Sequence, residues 1–318
     1  MFYADKRVLV TGGSGFVGSH IVRELLQQGA KVRVPVHNRS QCVHDENVES
    51  ITVDLMRLED CYKVVKDIDY VVHAAGYVGS AGVKRFHVME GITINLQLTT
   101  QMLQAAWKEN VKGFVLFSSS TGYPAVDYPV KEEEMWNGPP HSSYIGYGWM
   151  RKYSEKLAEF VSLESGMKVA IVRPSSVYGA GDNFDLRTCH VIPALIRRAV
   201  EKENPYVVWG TGNEIRDCLH IVDFARGCLL VFEKCDSCDP INIAFGKGYT
   251  IKDMVEIILK AAGHEKSDVV FDSSKPTAIP IRMVSSAKAE KVLGFIPQIS
   301  LEEGLKSTVD WYINNKVQ

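Results

Sequence analysis

The sequence predicts an α/β fold: a doubly wound parallel sheet with helices on both faces and a smaller α/β lobe toward the C-terminus. Three observations carry this. Short β-branched runs alternate with amphipathic helical stretches through the first half, the pattern of a sheet buried on both sides. The first strand runs directly into a glycine fingerprint, Thr11-Gly12-Gly13-Ser14-Gly15-Phe16-Val17-Gly18, followed by a helical run from Ser19 to Gln28. After about residue 175 the pattern breaks into Gly-, Pro- and aromatic-rich segments with shorter elements.

The fingerprint comes first because it fixes the ligand chemistry. Gly13, Gly15 and Gly18 satisfy G-x-G-x-x-G, and Gly12, Gly15 and Gly18 stand three apart. A strand, a tight glycine turn and a helix N-terminus present N–H groups and a positive dipole end to a pyrophosphate. Hence a dinucleotide-binding, Rossmann-type domain is expected over residues 1–175. Its strands are expected at Arg7–Val10, Val32–Val36, Ile51–Val53, Tyr70–His73, Phe114–Phe117 and Val169–Val172. Amphipathic helices are expected at His20–Gln28, Asn95–Glu109 and Met150–Glu164. Residues 176–318 form mainly the substrate lobe, with parts of 213–245 returning to the first domain, since Ile241–Phe245 reads as one more buried strand. Thr250-x-x-Asp253 and Ser300-x-x-Glu303 read as capping boxes opening two helices.

Bulk properties narrow the function classes. A net charge of −2 over 318 residues gives no electrostatic case for nucleic acid or anionic membrane. No apolar run reaches membrane-spanning length, and the first residues lack the apolar segment of a secretory signal. Seven scattered cysteines suggest reduced thiols and a cytoplasmic protein. Cys235-x-x-Cys238 lacks a second Cys or His pair at zinc spacing, so no metal site is expected.

Catalytic chemistry is expected beyond the carboxyl ends of the strands. There Phe114–Phe117 runs into Ser118-Ser119-Ser120-Thr121, and a tyrosine-rich segment, Tyr144-Ile145-Gly146-Tyr147-Gly148-Trp149-Met150-Arg151-Lys152, opens a helix. Tyr147 and Arg151 stand one helical turn apart and share a face. A neighbouring cation favours tyrosinate and lowers the phenol's pKa, which makes the phenol a usable acid/base.

With these residues the chain resembles the extended short-chain dehydrogenase/reductases. Within them it is similar to nucleotide-sugar epimerases and reductases, nearest in pattern to the GDP-L-fucose synthase-like and 4-epimerase branches. Further carriers are His73-Ala74-Ala75-Gly76-Tyr77-Val78-Gly79, Arg173-Pro174 with Val177-Tyr178-Gly179, Gly181-Asp182-Asn183-Phe184, His190 to Leu195, Val208 to Gly212, Arg216 to His220 and Ser274-Lys275-Pro276.

The resemblance implies an NAD(P)-dependent enzyme that transfers hydride at C4 of a nucleotide-linked hexose, as a 4-epimerase or a 4-keto-sugar reductase. It implies Ser119, Thr121, Tyr147 and Arg151 as catalytic residues, with Ser119 and Tyr147 bracketing the C4 oxygen. The cofactor would meet Gly12, Gly15, Phe16, Val17, Gly18, Asn38, Arg39, Asp54, Leu55, Ala74, Ala75, Tyr77, Tyr147, Arg151, Pro174 and Val177. The nucleotide-diphosphate sugar would meet Ser119, Thr121, Tyr147, Asn183, His190, Arg198, Arg216 and Arg282. It also implies a homodimer built on the helices Asn95–Glu109 and Met150–Glu164, with Leu96, Leu103, Trp107, Leu157 and Phe160 as candidate contacts.

Four departures shape that expectation. The usual Y-x-x-x-K reads Tyr147-x-x-x-Arg151, with Lys152 about 100° further round the helix. Thr121 stands where the fucose-synthase branch has a proton-moving Cys, so double epimerisation would need a different acid/base, and His190 becomes a sugar hydrogen-bond partner. Ser120-Thr121-Gly122 lacks the carboxylates of the 4,6-dehydratases, against dehydration. The second strand ends in Val36-His37-Asn38-Arg39-Ser40 with no acid for a ribose 2′-OH, which favours NADP(H) over NAD(H). The competing class is a non-catalytic dinucleotide sensor on the same fold.

Overall fold

The computed structural model describes residues 1–77, 85–235, 238–275 and 277–316. Val78, Gly79 and Pro276, quoted above as carriers of the resemblance, lie outside the described residues.

In the first half the chain forms β1 (Arg7–Thr11), α1 (Phe16–Gln27), β2 (Lys31–Val36), β3 (Val48–Thr52), α2 (Leu58–Val65), β4 (Tyr70–His73), α3 (Arg85–Lys108), β5 (Gly113–Phe117), α4 (Ile145–Ser165) and β6 (Lys168–Pro174). There follow β7 (Ser176–Tyr178), α5 (Val191–Val200), β8 (Tyr206–Trp209), β9 (Ile215–His220), α6 (Ile221–Lys234) and β10 (Ile241–Ile243). The chain ends with β11 (Gly248–Thr250), α7 (Ile251–Ala261), β12 (Val269–Asp272), β13 (Ile281–Arg282), α8 (Ala287–Leu293) and α9 (Leu301–Asn315).

Seven parallel strands form the central sheet in the order β10-β6-β5-β4-β1-β2-β3. The order reverses between β1 and β4, the switch point where doubly wound sheets take their ligands. One face packs Val8, Val10, Val32 and Val72 against Ile21, Val22 and Leu25 of α1 and Phe224, Cys228 and Phe232 of α6. The other packs Leu9, Val71, Phe114 and Leu116 against Met102, Leu103 and Ala106 of α3 and Ala158 and Val161 of α4. β10 adds to the edge of β6, although it comes late in the chain.

A separate core joins α5, α7 and α9 around Ile192, Leu195, Ile196, Met254, Ile258, Leu305 and Val309. Beside it β11, β9 and β13 form a small sheet that β7 joins through β9, and β8 pairs with β12. Thr250 and Ser300 make the two capping boxes, on Asp253 and Glu303.

Two helices begin earlier than periodicity indicates. α4 starts at Ile145 rather than Met150, through Gly146 and Gly148, which lower helix propensity. Gly148 is needed for close approach to backbone, while Gly146 faces only a side-chain end. A Cβ on Gly148 would strike the Thr121 carbonyl oxygen at 2.7 Å, and one on Gly146 would meet Ile92 at 2.7 Å. α3 likewise runs from Arg85 rather than Asn95.

Candidate functional site

The dinucleotide end of the site is built from backbone. Gly12 has φ +69°, and a Cβ there would meet the backbone of Ala74 at 2.7 Å, so β1 and the tail of β4 close up only on glycine. A Cβ on Gly18 would run into the Gly12 carbonyl. Gly15 is the N-cap of α1 and offers no side-chain hydrogen bond, and no acid stands in the first turn. The first N–H groups of α1 and the positive end of its dipole therefore face outward unopposed, as a pyrophosphate requires.

The remaining expected cofactor residues stand in or beyond strands of the sheet and at the start of the second lobe. Phe16 and Val17 pack partly against the core. Thr11 Oγ1 accepts from the Ala75 N–H at 3.1 Å, placing Ala74 and Ala75 at the end of β4. Asn95 of α3 grips Tyr77 twice, accepting from its N–H and donating to its carbonyl, both at 2.9 Å. Asp54 Oδ1 caps the Met56 N–H at 3.0 Å, and Leu55 packs beside it against the second core face. Asn38 and Arg39 are exposed beyond β2, and Arg39 forms no ion pair among the described residues. Pro174 closes β6 and Val177 lies in β7. The donor set fits a nicotinamide dinucleotide.

The reactive end lies beyond β5. Ser119 Oγ accepts from the Thr121 N–H at 3.1 Å, capping a tight 3₁₀ turn over Ser120–Gly122. That bond uses a lone pair and leaves the Ser119 hydroxyl proton for another acceptor. Tyr147 comes in the first turn of α4, and its hydroxyl is buried without a hydrogen-bond partner among the described residues. It rests over Gly91 of α3, where any Cβ would press into the phenol oxygen. A buried polar atom without a partner marks a place where a ligand group belongs.

Arg151 follows one turn later, and its Nη1 donates to the Phe117 carbonyl at 2.9 Å. Burial lowers its guanidinium to about 10, while Glu155 and Tyr147 favour its charge. Lys152 turns away: its Nζ donates to the Gly138 carbonyl at 2.7 Å and lies over Trp136 and Trp149, 5.1 and 4.9 Å from the ring centroids.

One expectation is corrected. Arg151 does pull the Tyr147 phenol downward, but burial and the neighbouring Tyr77 outweigh it, and the phenol stands above the ordinary tyrosine value. Desolvation disfavours tyrosinate more than one cation, itself desolvated, favours it.

The far end carries two arginines. Arg216 and Arg282 are register partners on the parallel strands β9 and β13. Arg282 stacks 4.4 Å over the Tyr144 ring, and Arg216 Nη1 donates to the carbonyls of Ile215 and Pro280 at 2.8 and 3.2 Å. Burial lowers both guanidinium pKa values, and neither has a carboxylate partner among the described residues. Two adjacent desolvated cations call for an anion, and a diphosphate matches their fork geometry.

Other expected sugar residues are committed differently. Asn183 donates to Thr188 Oγ1 at 2.9 Å and accepts from the Asp185 N–H at 3.0 Å, holding its own loop. Arg198 Nη1 donates to the Val207 carbonyl at 2.6 Å, tying α5 to β8. His190 is the N-cap of α5; it is accessible yet surrounded by protein, as a cleft group is, and desolvation lowers its pKa. Asp182 is a residue that sequence reasoning passed over. Its Oδ2 is buried and has no hydrogen-bond partner among the described residues, and burial pushes its carboxyl up to about 7. No group of three or more His, Cys, Asp or Glu able to hold a metal occurs among the described residues.

A glycine-rich dinucleotide turn after β1, Ser119 after β5 and Tyr147 at the start of α4, set around one parallel sheet, define the class, an extended short-chain dehydrogenase/reductase. The sequence pattern of the NAD dependent epimerase/dehydratase family matches residues 8–244, and the chain belongs to that family. It is 31% identical to a GDP-L-fucose synthase of Escherichia coli (strain K12), covering 98% of each chain. It is 30% identical to a dTDP-4-dehydro-6-deoxy-D-allose reductase of a Streptomyces species, covering 98% of this chain and 97% of that one. Its fold matches a UDP-glucose 4-epimerase of Thermotoga maritima, solved with UDP-glucose, at TM-score 0.87 and 26% identity, over 98% of this chain and 100% of that one.

Proposed function

We propose that this protein catalyses NAD(P)-dependent hydride transfer at C4 of a nucleotide-linked hexose, with Tyr147 as the acid/base. The observation that carries the reading is the Tyr147 hydroxyl, buried at the carboxyl end of the sheet and unpartnered among the described residues. A nicotinamide, when bound, supplies or accepts the hydride. Ser119 and Tyr147 hold the C4 oxygen between them, and Tyr147 moves its proton. Arg151 stays charged beside the phenol and steadies the ionised form. Arg216 and Arg282 grip the diphosphate and so set the distance from nucleotide to C4.

Of the two directions we favour the 4-keto-sugar reductase, because the end of β2 offers Arg39 and no acid, a setting for NADP(H). The pair Ser119 and Thr121 supports the 4-epimerase as the second reading, as in the Ser-x-Thr arrangement of that branch. The deciding experiment incubates the protein with UDP-, GDP-, CDP- and dTDP-linked hexoses and 4-keto-hexoses, with and without NADPH, followed by mass and NMR analysis. Stoichiometric NADPH consumption establishes the reductase. Interconversion at C4 with a retained cofactor establishes the epimerase, and binding with no turnover of any sugar establishes the sensor.

A further inference from the structure

The loop that carries Ser119 and the helix that carries Tyr147 are joined by a buried ionic junction. Ser118, at the tip of β5, donates its hydroxyl to Glu155 Oε1. Glu155 lies on α4 one turn past Arg151. The same carboxylate receives both arms of Arg173 of β6, Nε on Oε1 at 2.8 Å and Nη2 on Oε2 at 2.7 Å. The third nitrogen, Nη1, donates to the Tyr123 hydroxyl at 2.9 Å and the Glu132 carbonyl at 2.8 Å. The two charged side chains are only 2% and 4% exposed.

Arg151 adds a second grip, on the Phe117 carbonyl. Two side chains one turn apart on α4 therefore hold the consecutive residues Phe117 and Ser118, immediately before Ser119. Apolar side chains of similar size would hold α4 against the sheet at least as firmly. What a carboxylate adds is direction: both oxygens are used, and a rotation or slide of α4 would break several bonds together.

We propose that Glu155 is a positioning residue: through Ser118 and Arg173 it locks the loop after β5 to α4, and so fixes Ser119 against Tyr147. The proposal rests on the reading of that pair as the C4 centre, and its test separates the two.

Ser118→Ala removes one hydroxyl and leaves the ion pair intact. Its kcat is expected to fall about tenfold or more, since misplacements of about 1 Å cost up to about 10²-fold. Its KM for the nucleotide sugar and its affinity for NADP(H) should stay within about twofold, the signature of lost alignment rather than lost binding. A double variant, Glu155→Met with Arg173→Met, removes the pair without stranding a charge. It is expected to fold, to bind NADP(H), and to remain as slow as Ser118→Ala. GDP-, dTDP- and UDP-linked 4-keto-6-deoxyhexoses with NADPH are the probes. Crystal structures of wild type and Ser118→Ala should show the Ser119 hydroxyl displaced relative to Tyr147. Wild-type kcat in either variant, or an unmoved Ser119, overturns the proposal. If the wild type turns over none of the probes, the C4 reading fails, and the crystal comparison alone decides the role of Glu155.

Discussion

Tyr147 is poised in the uncharged state by its own surroundings: burial and Tyr77 raise the phenol, and Arg151 opposes them. A catalytic phenol so placed depends on its cation. Tyr147→Phe removes only the ionisable hydroxyl, so turnover should fall by about 10² or more while NADP(H) affinity is kept. Near-normal turnover in that variant, with the loss appearing in Tyr144→Phe, would move the assignment to Tyr144. Arg151→Ala should weaken cofactor binding and shift the kinetic pKa upward, because tyrosinate loses its counter-charge. Arg151→Lys should keep substantial activity. Should Lys152→Ala prove the damaging change instead, the ring contacts that hold Lys152 between Trp136 and Trp149 would not describe the working enzyme. That Tyr147 and Arg151 share a face was legible from spacing, because 3.6-residue periodicity fixes it. Gly91, Asn95 and Glu155 were not. Their roles depend on which helix lies across from which strand end, and no local pattern states that.

Elements read well where one face dominates and poorly where two chains crowd together. β4 was legible residue for residue and the capping boxes of α7 and α9 to the residue, since each rests on local chemistry. The starts of α3 and α4 were hidden because their opening stretches give up helix propensity for close approach at Gly91, Gly146 and Gly148. At the end of β2, Arg39→Ala should narrow the preference for NADP(H) over NAD(H) in a calorimetric titration; a wild type that prefers NAD(H) would shift the reading toward the epimerase. β1, β4 and α3 meet at His73, whose ring lies 2.9 Å from Thr11 Oγ1 and 3.5 Å from Thr99 Oγ1. Burial, helped by Arg151, lowers its pKa from 6.5 to about 3, so the folded protein holds it neutral. The unfolded chain binds a proton there first. The stabilisation is thus complete above pH 6.5 and is lost as pH falls toward 3, by about 1.4 kcal/mol per pH unit. His73→Gln should flatten that part of the acid dependence in urea melts at pH 7, 5 and 4. An unchanged slope would mean that His73 is charged in the folded state.

At the scale of the whole molecule, the paired helices α3 and α4 present an apolar surface that the chain itself leaves uncovered. Trp107, Trp149, Tyr153, Phe160 and Leu163 are 37%, 48%, 56%, 52% and 78% exposed, and the Trp107 and Phe160 rings meet edge to face at 6.1 Å. The set that the resemblance implied overlaps this one at Trp107 and Phe160 and differs elsewhere. Leu103 belongs to the core against the sheet and Leu157 packs partly against it, so neither is free for a partner, while Trp149, Tyr153 and Leu163 were passed over. One apolar helix looks the same in sequence whether its stripe covers a sheet or a second subunit; α4 carries both stripes, and only their burial separates them. Large exposed aromatic patches mark interaction surfaces; α3 and α4 lie side by side on one face of the sheet, and a two-fold contact would use this same patch on both partners. We expect a homodimer that buries on the order of 1,200–2,000 Å² or more through a four-helix bundle. Light scattering at micromolar concentration should then give twice the chain mass of 35.5 kDa. Phe160→Asp with Leu163→Asp should halve it without unfolding the protein, since both side chains are exposed in the single chain. A monomeric wild type, or a two-fold contact built on other surfaces, would refute this assembly. The cofactor residues expected above all come from one chain, so the dissociated variant should still bind NADP(H).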